Sequence, residues 1–195
     1  MALFPYGDAA RAAVDVFRSV EEYNTKKPEG LPAVSVGVGV CTGPVVLGSI
    51  GIPERMEISV IGDTVNVASR LEALTRNFGV QCLVSPEVAK DAEKKGLTTR
   101  FVGEIRLKGR STATSVSELL TTVDPLIDVK IANSHGLSGA IESFRDGHLE
   151  ECQEKLSSLA PGDPVAHLYL TQSKKMLADL KTIPPPPLVI VMETK

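Results

Sequence analysis

The segment that most restricts the fold is AVSVGVGV at residues 33–40, where apolar residues alternate with small ones. Alternation of this kind predicts a β-strand. Glycine inside a strand has no side chain to keep neighbours away, so Gly37 and Gly39 permit close approach of another backbone. We therefore expect residues 33–40 to form a strand that packs tightly against a neighbouring element.

The rest of the first 121 residues alternates between helical and extended patterns. Asp8 is a candidate N-cap for a helix with apolar residues at helical spacing, and a turn and loop are expected for TGPVVLGSIG at 42–51. A second helix is expected to begin near Asp63 or Thr64. Further strands are predicted at 80–84, 100–107 and 113–120, and a capped helix at 85–96. This order predicts a mixed α/β (α+β) sheet protein.

The character of the chain changes near residue 121. Residues 122–183 predict three short helices, broken at Asp146-Gly147 and at Pro161-Gly162, that resemble a tetratricopeptide-like helical hairpin. One such unit is too short for a solenoid, so we expect it to pack against the preceding domain or a partner. Residues 184–195 begin with four prolines and are expected to form a Pro-rich tail.

Composition and motifs exclude several functions. A net charge of -3 with scattered lysines and arginines argues against nucleic-acid binding, and no apolar run approaches the ~20 residues of a membrane span. The glycines fit neither GxGxxG nor GxxxxGK[ST]. The three cysteines form no CxxC pair, which indicates neither a disulfide framework nor a zinc site and suits a reducing cytoplasm. The three histidines lack a carboxylate at metal spacing, so surface or capping roles are expected.

The helix after Gly62 carries the best candidate site residues. Val67, Leu71 and Leu74 form its apolar stripe. Asn66 and Arg70 are four positions apart, so they project from the same side and can reach one target together. Alone, they are equally typical of a solvated helix face. With Lys108 in the LKGR turn at 107–110, they form a donor set suited to a polyphosphate.

Three segments together resemble a known family. They are VSVGVGVCTGPVVLGSIGIPERMEISVIGDTVNVASRLEALT, LVSPEV and FVGEIRLKGRSTATSVSEL. They are similar to the C-terminal portion of a class III adenylyl/guanylyl cyclase catalytic domain, and the match covers about residues 3–120. The resemblance implies a partial cyclase fold with a ferredoxin-like sheet over residues 1–121, a helical extension over 122–183, and the tail at 184–195.

The resemblance also implies roles for four residues. Asn66 would orient the substrate ribose, Arg70 would stabilise charge on the phosphate during transfer, and Lys108 would contact the triphosphate. Ser59 falls where similar microbial adenylyl cyclases have Thr or Ser and many guanylyl cyclases have Cys, which favours ATP over GTP. The implied reaction is attack of the ribose 3'-hydroxyl on the α-phosphate, which forms cyclic AMP and releases pyrophosphate.

The metal ligands are where the sequence departs from the family. Class III cyclases use two Mg or Mn ions held by two aspartates, and both aspartates lie in motifs upstream of the segments matched in this chain. Asp8 has a strongly helical stretch after it and is expected to be a helix N-cap rather than a ligand. We therefore predict no metal ligands in this chain, and an exposed sheet edge where the upstream strands would pair.

The family's site lies at a dimer interface, where one subunit supplies the aspartates and the other the Asn and Arg. The resemblance thus implies a second, complete cyclase subunit as partner. Two hypotheses follow, an enzyme that makes cyclic AMP in the cytoplasm and a non-catalytic interaction or regulatory module with a cyclase-like fold. A third is that this sequence is a fragment of a longer signalling protein.

Overall fold

The computed structural model describes residues 2, 8–52, 55–106, 113–159, 161–179 and 190–191. The helices are α1 (Ala9–Lys26), α2 (Asp63–Phe78), α3 (Pro86–Lys94), α4 (Ile127–Arg145), α5 (Leu149–Ser157) and α6 (Pro164–Asp179). The strands are β1 (Val38–Val40), β2 (Val46–Ile52), β3 (Arg55–Ile61), β4 (Cys82–Val84), β5 (Thr98–Arg106), β6 (Thr114–Leu120) and β7 (Ile190–Val191). None of the helices in these ranges is long and apolar enough to cross a membrane.

Five strands form the main sheet, in the order β1-β4-β6-β5-β7. β1 runs parallel to β4, β6 is antiparallel to both β4 and β5, and β7 is parallel to β5. β2 and β3 form a separate antiparallel hairpin. The mixed sheet with its helices confirms the predicted α/β (α+β) class. Within the described residues β1 and β7 are the edge strands of the main sheet. The predicted exposed edge, where upstream strands of the family fold would pair, stays a prediction.

Helices cover both faces of the main sheet. Along β4, Cys82 and Val84 belong to a core formed with α1 and α3, whereas Leu83 belongs to a core formed with α2 and α4–α6. Neighbouring strand residues point to opposite faces, so the two cores lie on opposite sides of the sheet. The sheet is therefore the middle layer of three.

One predicted loop is wrong. Residues 42–51 were expected to form a turn and loop, but residues 46–52 are strand β2, paired along its whole length with β3 from Val46↔Ile61 to Ile52↔Arg55. Gly48 and Gly51 lower the strand propensity of this segment. Pairing with β3, which begins three residues after β2 ends, supplies the hydrogen bonds that compensate.

The C-terminal helices break where the sequence predicted, before and after α5. Their apolar residues share a core with the sheet: Leu137, Ala140, Ile141, Phe144, Leu149, Cys152, Leu156, Val165, Ala166 and Tyr169. The likeness to a tetratricopeptide hairpin and the division at residues 121 and 122 stay predictions. The Pro-rich tail, 184–195, lies outside the described residues except for β7.

The strand predicted over residues 33–40 is shorter in the structure, since β1 covers only Val38–Val40 and Gly37 lies just before it. The predicted close approach of another element is found at both glycines. A Cβ on Gly39 would overlap the backbone of α2 at Ala68 and Glu72, and a Cβ on Gly37 would overlap the Thr75 side chain. β1 therefore lies directly against α2, at a separation that only glycine at 39 allows.

Replacing Gly39 by alanine is expected to lower the free energy of unfolding by about 1–3 kcal/mol or more, because the added methyl meets helix backbone that cannot rotate away. Gly48→Ala is the matched control, since a Cβ at Gly48 has nothing within 4 Å. The control is expected to stay within about 0.5 kcal/mol of the parent chain. Urea unfolding of the three proteins measures the difference. Equal stabilities of the two variants would contradict the tight packing of β1 on α2.

Candidate active site

Helix α2 presents the two predicted catalytic residues on its outward side. Its inward residues Val67, Leu71 and Leu74 are 6%, 1% and 2% exposed, as predicted, and they anchor the helix to the sheet. With about 100° of rotation per residue, Asn66 and Arg70 are about 40° apart around the helix axis. Asn66 is about 80° or more from each residue of that stripe, whereas Arg70 is about 40° from Leu74, at the margin of the stripe. Asn66 is exposed and Arg70 is half-buried. An amide and a guanidinium are thus presented together, as recognition of a phosphate and its neighbouring hydroxyls requires.

The first turn of α2 is tied to the loop that precedes β2. Thr64 Oγ1 donates to the carbonyl oxygen of Pro44 at 3.0 Å, and Val65 N–H donates to Gly62 O at 3.1 Å. A Cβ on Gly43 would overlap Thr64 Oγ1. These contacts set where α2 begins relative to the β2–β3 hairpin. This contact of Thr64 was not predicted, although a Thr next to a helix start is a common capping signal.

Only one of the two predicted substrate-binding residues lies in the described part of the chain. Ser59 lies on β3 opposite Gly48 and is half-buried. It therefore belongs to the hairpin that leads into α2, close in sequence to Asn66 but on a different element. Lys108 lies outside the described residues.

One cavity of about 760 Å³ adjoins α2 but is separate from these residues. It lies between α1, α2 and residues 37–43, and α2 contributes Thr64, Val65, Ala68, Ser69 and Glu72 to its wall. Asn66, Arg70 and Ser59 are not among its described lining residues. The predicted site residues therefore do not form part of this cavity.

The β2–β3 hairpin exposes an unusual amount of apolar surface. Six of its residues are more than half exposed: Val46, Leu47, Ile52, Met56, Ile58 and Ile61. Ile58 is the extreme case at 83%. The pairing register places Leu47, Met56 and Ile58 on one face of the hairpin and Val46, Ile52 and Ile61 on the other. An isolated two-stranded hairpin is marginally stable in water, and exposed apolar side chains on both of its faces are typical of an interaction site. The hairpin adjoins α2, so a partner bound to it would also approach the outward side of that helix.

Comparison with known proteins identifies the family. Residues 7–119, more than half of the chain, match the adenylate and guanylate cyclase catalytic domain. The chain belongs to this cyclase family. It is 34% identical over 129 residues to an adenylate cyclase of Anabaena cylindrica, which covers 61% of the chain and 26% of that protein. It is 38% identical over 116 residues to adenylate cyclase 1 of Rhizobium meliloti, which covers 59% of the chain and 17% of that protein.

A solved cyclase structure has a similar fold. The crystal structure of the guanylyl cyclase Cya2 matches at a TM-score of 0.50 and 26% identity, over 62% of each chain. This chain spans about a quarter or less of the length of the two curated adenylate cyclases. Members of the family act on a nucleotide, generally depend on a metal and form dimers.

Replacing Ile58 by aspartate is expected to weaken association of the cyclase chain with a second subunit by about tenfold or more, because a buried Ile contributes about 1.5–3 kcal/mol. Sedimentation velocity over a concentration series measures the change. Ile131→Asp is the control, since Ile131 is an equally apolar residue exposed on α4, away from the hairpin. Association that is unchanged by Ile58→Asp but weakened by Ile131→Asp would move the interface to the C-terminal helices.

Proposed function

We propose that this chain contributes half of a nucleotide cyclase site that converts ATP to 3',5'-cyclic AMP and pyrophosphate in the cytoplasm. The observation that carries the proposal is the outward side of α2, where Asn66 and Arg70 lie together beside the exposed hairpin. A nucleotide bound between two subunits would meet both side chains. Ser59 supports ATP rather than GTP through its position in the family resemblance.

Each residue has a proposed role in one balanced step. The ribose 3'-hydroxyl gives up its proton to solvent water as its oxygen forms a bond to the α-phosphorus, while the bond from that phosphorus to the bridging oxygen breaks and pyrophosphate leaves. Asn66 holds the ribose so that its 3'-hydroxyl faces the phosphorus. Arg70 donates hydrogen bonds to the phosphate oxygens as negative charge shifts to the leaving group. Lys108 is proposed to bind the triphosphate.

The metal ligands are proposed to come from the second subunit. Among the described residues, no group of three or more His, Cys, Asp or Glu side chains is arranged to hold an ion. Asp8 precedes α1 without capping it by a side-chain hydrogen bond, and its carboxylate is 3.8 Å from Lys95 Nζ. We propose that a complete cyclase subunit binds the Mg²⁺ or Mn²⁺.

The test is to mix the purified chain with a complete cyclase subunit whose own Asn and Arg positions have been replaced by alanine. Cyclic nucleotide formed from ATP or from GTP is then measured by mass spectrometry, with Mg²⁺ or Mn²⁺ present. Activity in the mixture, with neither protein active alone and ATP preferred, supports the proposal. Stable binding without turnover supports the alternative of a non-catalytic regulatory module.

A further inference from the structure

The C-terminal helices are joined to the sheet by charged side chains that are buried. Arg100 on β5 donates from Nε to Glu118 Oε2 on β6 at 2.7 Å, and its side chain is 0% exposed. Its Nη1 and Nη2 donate to the two carboxylate oxygens of Asp163, at 2.5 and 3.0 Å. Asp163 immediately precedes α6 and accepts a hydrogen bond from Val165 N–H at 3.1 Å. A bidentate ion pair of this kind fixes the relative orientation of the two side chains as well as their distance.

Helix α4 is held by the same group of residues. Lys130 Nζ donates to Glu118 Oε1 at 2.6 Å and to Asp124 Oδ2 at 2.5 Å. Asn133 Nδ2 donates to Asp163 Oδ2 at 3.3 Å. We call Arg100, Glu118, Asp124, Lys130, Asn133 and Asp163 the buried charge network. Through it, α4 and α6 are both bonded to the β5–β6 pair.

Arg100 and Asp163 each stabilise the charged form of the other. Burial alone would raise the pKa of the Asp163 carboxyl, but the hydrogen bonds and charge of Arg100 outweigh it and hold that pKa below its ordinary value. Burial likewise opposes the charge of Arg100, yet Asp163 and Glu118 raise its pKa. Both groups are therefore charged at neutral pH, and removing one charge leaves the other buried and less compensated.

Helix α6 lies against the C-terminal end of α2. Gly79 ends α2 in the left-handed conformation at φ +66, and a Cβ there would come within 2.7 Å of Pro164 Cβ. One turn further along α6, the Tyr169 hydroxyl donates to Val102 O at 3.0 Å. That hydroxyl occupies the space that a Cβ on Gly103 would fill, close to Phe78. The end of α2 is therefore enclosed by residues whose positions depend on α6.

We propose that the C-terminal helices position α2 for catalysis, with Asp163 and Tyr169 as positioning residues that act through α6. A helix is stiff, and at 1.5 Å per residue Arg70 lies about 12 Å from Phe78. Displacement of the C-terminal end of α2 is thus carried to Asn66 and Arg70. A misplacement of about 1 Å can cost on the order of 10²-fold in rate. The inference rests on the proposed function, because it assigns the cyclase reaction to the residues that are positioned.

Hydrogen–deuterium exchange tests the positioning without an activity assay. In the full chain with Asp163→Asn, amides of α2 and α6 are expected to exchange roughly 100-fold faster, since a buried cation loses its charged partner. Amides of α1, which packs in the other core, are expected to be unchanged. Glu151→Gln is the control, because Glu151 forms an exposed pair with Lys155 on α5. Faster exchange in α6 alone, or equally in α1 and α2, would overturn the inference.

Tyr169→Phe is the milder second variant, since it removes only the hydroxyl and keeps the ring against Phe144. In the mixed cyclase assay it is expected to lower kcat about tenfold with KM for ATP changed less than about twofold, as for a displaced catalytic group. An unchanged kcat would overturn the inference. Absence of turnover in the parent mixture would refute the proposed function instead, and exchange in α2 would still decide the positioning.

Discussion

Arg70→Ala is expected to reduce cyclic AMP formation in the mixed assembly about 10³-fold, almost entirely through kcat. An arginine that donates to developing phosphate charge contributes about 10³–10⁵ in rate in phosphoryl transfer, and the lower figure suits an arginine that is half-buried. The nucleotide KM is expected to change little, because the guanidinium interacts most strongly with charge that exists only in the transition state. Initial rates over an ATP series measure both constants.

Two further variants decide whether the position or the charge matters. Arg70→Lys keeps the charge but loses the planar donors, so it is expected to recover at most about a tenth of the activity. Arg76→Ala is the matched control, since Arg76 is an exposed arginine on the same helix, turned about 120° from Arg70. The control is expected to stay within about twofold of the parent. Similar losses from Arg70→Ala and Arg76→Ala would refute the assigned role of Arg70.

Local patterns predicted the buried side of α2, whereas the site roles of Asn66 and Arg70 stay predictions. The stripe of Val67, Leu71 and Leu74 is a strong helical signal, so its burial followed from periodicity. The glycine alternation predicted close approach of another element to Gly39, but it did not identify that element as α2, because Ala68 and Glu72 are 29 and 33 positions further along the chain. Sequence spacing translates directly into geometry only within one element.

Local patterns predicted the breaks between the C-terminal helices, but they predicted neither strand β2 nor the charged contacts that hold α4 and α6 on the sheet. β2 is a strand because β3 pairs with it, despite its glycines. Lys130 and Asn133 on α4 have the composition of a solvated helix face, yet they are 2% exposed. The pairs that satisfy such groups join residues 18 and 63 positions apart, as in Arg100 with Glu118 and with Asp163. Periodicity alone contains no information on these pairs.

Removal of the Glu118 carboxylate should therefore have the largest effect on stability. Glu118→Ala is expected to cost about 3–5 kcal/mol in unfolding free energy and to lower Tm by about 10 °C or more, because Arg100 and Lys130 lose a shared buried partner. Thermal and guanidinium unfolding measure both quantities. The Glu118 side chain is 1% exposed, so water cannot replace the hydrogen bonds that Arg100 and Lys130 lose.

A surface pair provides the comparison that isolates burial. Glu22 and Lys26 on α1 are also an acid and a base in contact, at 2.5 Å, but their side chains are 65% and 72% exposed. Glu22→Ala is expected to change stability by at most about 0.5 kcal/mol, because water solvates the remaining ammonium. If Glu118→Ala cost no more than Glu22→Ala, water would have to reach Arg100 and Lys130. The buried charge network could then not hold α4 and α6 in a single position on the sheet.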